Sequence, residues 1–131
     1  MILDEVHILP TDSTPEVFLN PKGIIKIKGR GLIINKFEVL DQIMNWIKEY
    51  INNPADITNV IVAFEYLNSF STSILVSILN KLSQINQQTK KLTIRWYFED
   101  GDDDILERGE YISSAYNLPI DFFMTDDIAG C

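Results

Sequence analysis

Between residues 60 and 82 the pattern of hydrophobic and polar residues changes from that of a buried strand to that of a helix. Residues 60–64 form a short apolar run rich in β-branched side chains, which predicts a strand buried on both faces in a sheet covered by helices. A cluster of hydroxyl and amide side chains follows at 68–73. The next apolar residues recur at helical spacing: Ile74, Leu75, Ile78, Leu79, Leu82 and Ile85. The stretch therefore predicts a strand, a polar turn, and a helix whose N-terminal N–H groups face the turn.

Two shorter strands and a helix are predicted before this stretch. Residues 16–19 and 24–28 flank the tight-turn sequence Asn20-Pro21-Lys22-Gly23, which favours an antiparallel hairpin, and we expect it at an edge of the sheet. From about residue 35 to 52 the pattern is helical. Its apolar stripe consists of Phe37, Leu40, Ile43, Met44, Ile47, Tyr50 and Ile51.

The remaining elements complete an alternating order of strands and helices. Residues 92–98 alternate as a strand does, an amphipathic helix runs from Ile105 to about Asn117, and residues 120–124 predict a last short strand. The order is β-β-α-β-α-β-α-β, which predicts one α/β domain over residues 1–131, a mixed sheet with helices packed on it. Residues 1–15 are expected to be an extended lead-in, and 125–131 a flexible tail.

Composition narrows the class of protein. The length of 131 residues suits one hydrophobic core, and no apolar run is long enough to span a bilayer, so membrane insertion is not expected. The net charge of −8 argues against nucleic acid as a partner. The start of the sequence lacks a signal-peptide pattern and Cys131 is the single cysteine, so we expect a cytoplasmic protein. One histidine, His7, leaves almost no material for a zinc site or a Cys/His pair, and no cofactor is expected.

The acidic stretch at 99–104 has two interpretations. Five carboxylates in six residues could bind a divalent metal or a small ligand. The EF-hand spacing fails, because counting from Asp100 the sixth residue is Ile105 instead of glycine and the twelfth is Tyr111 instead of glutamate. Acidic residues are also favoured at a helix N-terminus, which is the interpretation that we prefer.

The polar turn is the candidate functional site, because sites in open α/β sheets lie beyond the carboxyl ends of the strands. Ser69, Ser71, Thr72 and Ser73 supply hydroxyl groups, but no Gly-x-Ser-x-Gly or Ser-x-x-Lys motif accompanies them, and no catalytic residue is predicted. One alternative is that Asn68 and the serines only cap the helix. Another is that a turn hydroxyl is phosphorylated, which adds about −1.5 to −2 charges at the helix N-terminus. The two alternatives are compatible.

Several segments, in order, resemble one bacterial family. They are Thr14-Pro15-Glu16-Val17, Trp46, Glu65-Tyr66-Leu67-Asn68-Ser69-Phe70-Ser71, Arg95-Trp96-Tyr97, Glu107-x-Gly109-Glu110 and Leu118-Pro119. Over roughly residues 8–123 the chain resembles the SiaC-type regulatory phosphoproteins.

The resemblance implies a STAS-like fold, related to that of anti-sigma-factor antagonists, and a protein that is not an enzyme. It implies a cognate Ser/Thr protein kinase, a PPM-type phosphatase, and an unphosphorylated form that binds a target such as a diguanylate cyclase. The family's acceptor falls on Ser69; Phe70 stands where a small polar residue is often found, so Ser71 and Thr72 remain alternative acceptors. The partner-binding residues that we expect are Tyr66, Asn68, Ser69, Phe70 and Ser71. An anti-sigma-factor antagonist using the same switch, and a metal- or ligand-binding domain using 99–104, are the alternative functions.

Overall fold

Six strands and three α-helices are found in residues 3–30, 37–87 and 89–131, which are the residues that the computed structural model describes. The strands are β1 (Val6–Ile8), β2 (Glu16–Asn20), β3 (Ile24–Gly29), β4 (Ile57–Phe64), β5 (Lys91–Glu99) and β6 (Ile120–Thr125). The helices are α1 (Phe37–Tyr50), α2 (Ser69–Leu82) and α3 (Asp103–Ala115), and short 3-10 helices cover Ser83–Gln87 and Ile128–Gly130. The predicted start of the first helix, near residue 35, lies outside the described residues.

The strands form one mixed sheet in the order β1-β2-β3-β4-β5-β6. The first three strands pair antiparallel, and β3 to β6 pair parallel. The α/β class and the predicted order of eight elements are confirmed, with one strand added in front. The expected edge position of the β2–β3 hairpin is wrong, because β1, inside the expected extended lead-in, pairs with β2 and forms the edge. Three residues are too few to show the alternation of a strand, which is why the sequence did not predict β1. Its hydrogen bonds with β2 hold it in the sheet.

The three α-helices cover one face of the sheet, and this corrects the expectation that β4 is covered by helices on both faces. One buried core joins the helices to alternate strand residues, such as Val60 and Val62 of β4. On the opposite face, Ile57 is 52% exposed, and Ile24 and Phe123 are also exposed. The second 3-10 helix contacts β3 and β5, and Ala63 of β4 between them is buried, so part of this face is shielded without an α-helix.

Two buried hydrogen bonds join the helical layer to the sheet. The Tyr50 hydroxyl of α1 lies 2.6 Å from the Thr58 hydroxyl of β4, and both residues are buried. The fully buried Trp96 of β5 donates its indole N–H to the carbonyl oxygen of Ile105 in α3, at 3.1 Å. Buried polar atoms need hydrogen-bond partners, so these bonds favour the observed positions of α1 and α3 on the sheet.

The residues after β6, expected from the sequence to be a flexible tail, end in the second 3-10 helix. Ile128 is buried, and its backbone N–H donates to the Glu99 carboxylate at 3.1 Å. The Lys28 ammonium donates to the carbonyl oxygen of Ala129 at 3.0 Å. One apolar residue within a polar stretch is a weak sequence signal, which is why this contact was not expected. None of the helices in the described residues has the length and apolar character needed to cross a membrane.

Candidate functional site

The polar turn follows the carboxyl end of β4 and leads directly into α2. Asn68 is the N-cap: its side-chain oxygen accepts a hydrogen bond from the Ser71 N–H at 2.8 Å, and its carbonyl oxygen accepts one from the Thr72 N–H at 2.9 Å. The predicted capping by Asn68 is confirmed. The cap satisfies one of the N–H groups that lack intrahelical acceptors at a helix start and leaves Ser69 as the first helical residue.

The turn hydroxyls differ in exposure, which bears on their role as phosphate acceptors. Ser69 and Ser73 are exposed, Thr72 is half-buried, and Ser71 has no exposed surface. A kinase must reach the hydroxyl that it modifies, so the burial of Ser71 disfavours it as the acceptor. Ser71 precedes Ile74 by three residues, so the helical period could have assigned it to the buried stripe.

Two aromatic side chains beside Ser69 point outward. Tyr66 is 57% exposed and Phe70 is 61% exposed, whereas Leu67 between them is buried in the core. Leu67 therefore anchors the turn while the aromatic residues stay at the surface. Aromatic residues are enriched at protein interfaces, and this arrangement is compatible with the predicted partner-binding role of Tyr66 and Phe70.

Helix α3 contributes residues to the site that the sequence analysis did not include. A cleft of about 350 Å³ lies between the first turn of α2 and residues 104–111 of α3. Its lining consists of Ser69, Thr72, Asp104, Glu107, Arg108 and Tyr111. Arg108 Nη1 lies 3.4 Å from the Thr72 hydroxyl oxygen, and Tyr111 is 67% exposed. No local pattern signals these residues, because they are more than 30 positions from the turn in sequence.

The acidic stretch acts as the start of α3. The Asp102 carboxylate accepts a hydrogen bond from the Ile105 N–H at 3.2 Å, and Asp103 and Asp104 lie in the first helical turn. The capping interpretation that we preferred is therefore confirmed for Asp102. Metal binding by 99–104 stays the alternative to this interpretation, and calorimetric titration with magnesium, calcium and manganese tests it.

A second group of carboxylates lies near the turn. Within the described part of the chain, oxygen atoms of Glu65, Glu99 and Asp127 come within 4.8 Å of one another. All three have protein partners. Glu99 accepts the Ile128 N–H, and Asp127 accepts the Ala129 N–H at 3.0 Å. Glu65 lies 3.7 Å from Arg30 Nε. The bond between Glu99 and the Ile128 N–H joins the end of β5 to the C-terminal turn.

A family model matches most of this chain. The model of the SiaC family regulatory phosphoproteins matches residues 8–125. The chain belongs to the SiaC family. This confirms the family inferred from the ordered motifs, and it agrees closely with the boundaries of the resemblance, roughly 8–123.

Solved structures of family members have the same fold. SiaC of Pseudomonas aeruginosa superposes with a TM-score of 0.78 at 20% identity, over 93% of this chain and 99% of that one. The SiaC chain in the crystal structure of the diguanylate cyclase SiaD in complex with its activator SiaC, from the same organism, gives a TM-score of 0.81 at 21% identity, over 92% and 99%. An uncharacterised protein of Pseudomonas aeruginosa strain UCBPP-PA14 is 21% identical over 118 residues, which are 89% of this chain and 94% of that protein. The two superpositions show that this SiaC-family chain shares its fold with these solved structures.

Proposed function

We propose that this SiaC-family chain is a non-enzymatic cytoplasmic regulator whose binding to a target protein is controlled by phosphorylation of Ser69. A cognate Ser/Thr kinase adds the phosphate, a PPM-type phosphatase removes it, and the unphosphorylated form binds the target, such as a diguanylate cyclase. Membership of a family of regulatory phosphoproteins supports this proposal. So does the complex in which SiaC is the activator of the diguanylate cyclase SiaD.

The observation that carries the proposal is the setting of Ser69. It is exposed, it is the first residue of α2 after a capped turn, and exposed Tyr66 and Phe70 lie on either side of it in sequence. A phosphate on Ser69 would stand among the aromatic side chains that we propose as partner contacts. The charge and bulk of the phosphate would make those side chains costly to bury against an apolar surface of a partner.

The proposed modification needs no catalytic group from this chain. The kinase transfers the γ-phosphoryl group of ATP to the Ser69 hydroxyl oxygen, which loses its proton, and ADP leaves. The phosphatase returns the serine by hydrolysis, in which water attacks phosphorus and inorganic phosphate is released. First-turn N–H groups and the N-terminal end of the helix dipole stabilise the added negative charge. Thr72, which is half-buried, is the second acceptor to test.

The first experiment is an assay with Ser/Thr protein kinases, PPM-type phosphatases and diguanylate cyclases from the organism that produces this protein. Radiolabelled ATP and phosphopeptide mapping identify the acceptor, and Ser69→Ala should abolish labelling while Thr72→Ala retains it. Binding of the cyclase is measured by calorimetry. The unmodified protein and Ser69→Ala should bind, and the phosphoprotein should bind at least about tenfold more weakly, which corresponds to about 1.4 kcal/mol.

A charge control on the same helix separates a local effect from a general one. Ser77 is exposed on α2, two turns beyond Ser69. Ser69→Asp should weaken cyclase binding, although aspartate reproduces only part of a phosphate's charge, whereas Ser77→Asp should leave binding unchanged. Equal cyclase binding by the unmodified protein and the Ser69 phosphoprotein would contradict the proposal. Capture of an anti-sigma factor in place of the cyclase would retain the switch and change the target.

A further inference from the structure

We infer that Arg108 of α3 binds the phosphate on Ser69 and thereby joins α3 to α2 in the phosphorylated form. The biological role of this contact rests on the proposed function, but the contact itself can be tested without a kinase or a target. Arg108 and Ser69 line the same cleft, and among the described residues that line it Arg108 is the only basic one. The cleft therefore brings one guanidinium group to the proposed acceptor.

The distance from Arg108 to Ser69 can be bridged by a phosphate. Arg108 Nη1 lies 3.4 Å from the Thr72 hydroxyl oxygen. That hydroxyl donates its own proton to the Asn68 carbonyl oxygen at 2.7 Å, so it is oriented to accept from Arg108. Thr72 follows Ser69 by three residues, and side chains at this spacing are neighbours on a helix, with Cβ atoms about 5–6 Å apart. A phosphate on the Ser69 oxygen would reach into the space between Ser69 and the Arg108 guanidinium group beside Thr72.

The present ion pair of Arg108 is weak enough to exchange. Arg108 Nε lies 3.3 Å from the Asp104 carboxylate, four residues earlier on the same helix, and the Asp104 side chain is 74% exposed. Exposed pairs of this kind are strongly screened by water. A phosphate offers a larger charge and three acceptor oxygens, and a guanidinium group can donate to two of them at once. The phosphate should therefore replace Asp104 as the partner of Arg108.

Two acidic side chains in the cleft would repel a phosphate on Ser69. Asp104 and Glu107 line the cleft, and both are exposed, so water screens their repulsion more than it screens the half-buried Arg108. Removing the charge of Asp104 should thus strengthen the contact between Arg108 and the phosphate. Tyr111 also lines the cleft, one helical turn after Arg108 on α3. Phosphorylation would therefore alter a surface that includes α3 as well as the polar turn at 68–73.

The test is a ³¹P NMR titration of the full chain with phosphoserine incorporated at residue 69 by amber suppression. A guanidinium group at the phosphate stabilises its dianion, so the second pKa should lie below its ordinary value of about 6. Arg108→Gln should raise that pKa by about 0.5 to 1 unit, a three- to tenfold change in proton affinity. Arg108→Lys should give an intermediate value, because lysine keeps the charge and loses the planar fork. Asp104→Asn should lower the pKa further.

The matched control is Lys81→Gln, which removes one positive charge from the last turn of α2. It should leave the phosphate pKa unchanged, since it acts about 18 Å along the helix from Ser69. Identical titration curves for the unsubstituted protein and Arg108→Gln, with both folded by circular dichroism, would overturn the inference and leave the proposed function standing. Failure of every Ser/Thr kinase of the source organism to modify Ser69 would instead count against the proposed function and leave the titration result intact.

Discussion

Gly109 lies at the closest contact between α3 and the sheet, and replacing it by alanine should destabilise the protein. An alanine Cβ there would lie 2.6 Å from Trp96 Cε2 and 2.7 Å from Phe122 Cε1, both well inside van der Waals distance. In an exposed helix the same substitution stabilises by about 1 kcal/mol, because glycine is a poor helix former. The propensity and packing effects therefore have opposite signs at this residue.

The structure indicates that packing dominates at Gly109. Overfilling a packed core costs about 1–3 kcal/mol. The Trp96 ring is fully buried and bonded through its N–H to Ile105, so moving it aside would cost roughly another 1–3 kcal/mol. After the helix-propensity gain of about 1 kcal/mol is subtracted, a net loss of about 1–5 kcal/mol remains.

Urea denaturation and thermal melting measure this effect. For a domain of this length, a loss of 1 kcal/mol lowers Tm by about 3–5 °C, so Gly109→Ala should lower it by at least about 3 °C. Ser114→Ala, on an exposed residue of the same helix, is the control and should change stability by no more than about 0.5 kcal/mol. If Gly109→Ala were as stable as the unsubstituted protein, the proposed close packing of α3 on Trp96 would be wrong.

Substitutions at three further residues test other contacts. Asn68→Ala removes the cap of α2 and should cost about 1 kcal/mol in urea denaturation, while Asn68→Asp, which can still cap, should cost less. Tyr50→Phe leaves the buried Thr58 hydroxyl without its partner and should lower the free energy of unfolding by about 1–3 kcal/mol. A hydrogen bond from His7 lowers the pKa of Glu16, opposed by partial burial and aided by nearby lysines. Glu16→Gln should therefore destabilise the protein at neutral pH, and the difference should disappear as pH falls through the lowered pKa of Glu16; a difference that persists in denaturation at pH 2 would contradict this.

The sequence by itself predicted strands β2 to β6, the three α-helices and the capped starts of α2 and α3, because these depend on residues close together along the chain. The change in the spacing of apolar residues marks where β4 ends and α2 begins. The side-chain oxygen of Asn68 forms its cap with the N–H of Ser71, three residues later. The same holds for Asp102 at the start of α3. The ordered motifs also identified the family, and with it the expectation that Ser69 is the acceptor, which the assays above test.

Tertiary structure decided the layering, the edge of the sheet and the second wall of the candidate site. An apolar run indicates that a strand is buried but does not indicate which elements bury it. The sequence therefore did not predict that the α-helices pack on only one face of β4. The contact between Arg108 and Thr72 joins residues 36 positions apart, and it exists because α2 and α3 pack on the same face of the sheet. Local sequence carries no signal of such a contact, since the geometry of the whole sheet sets the distance between the two helices.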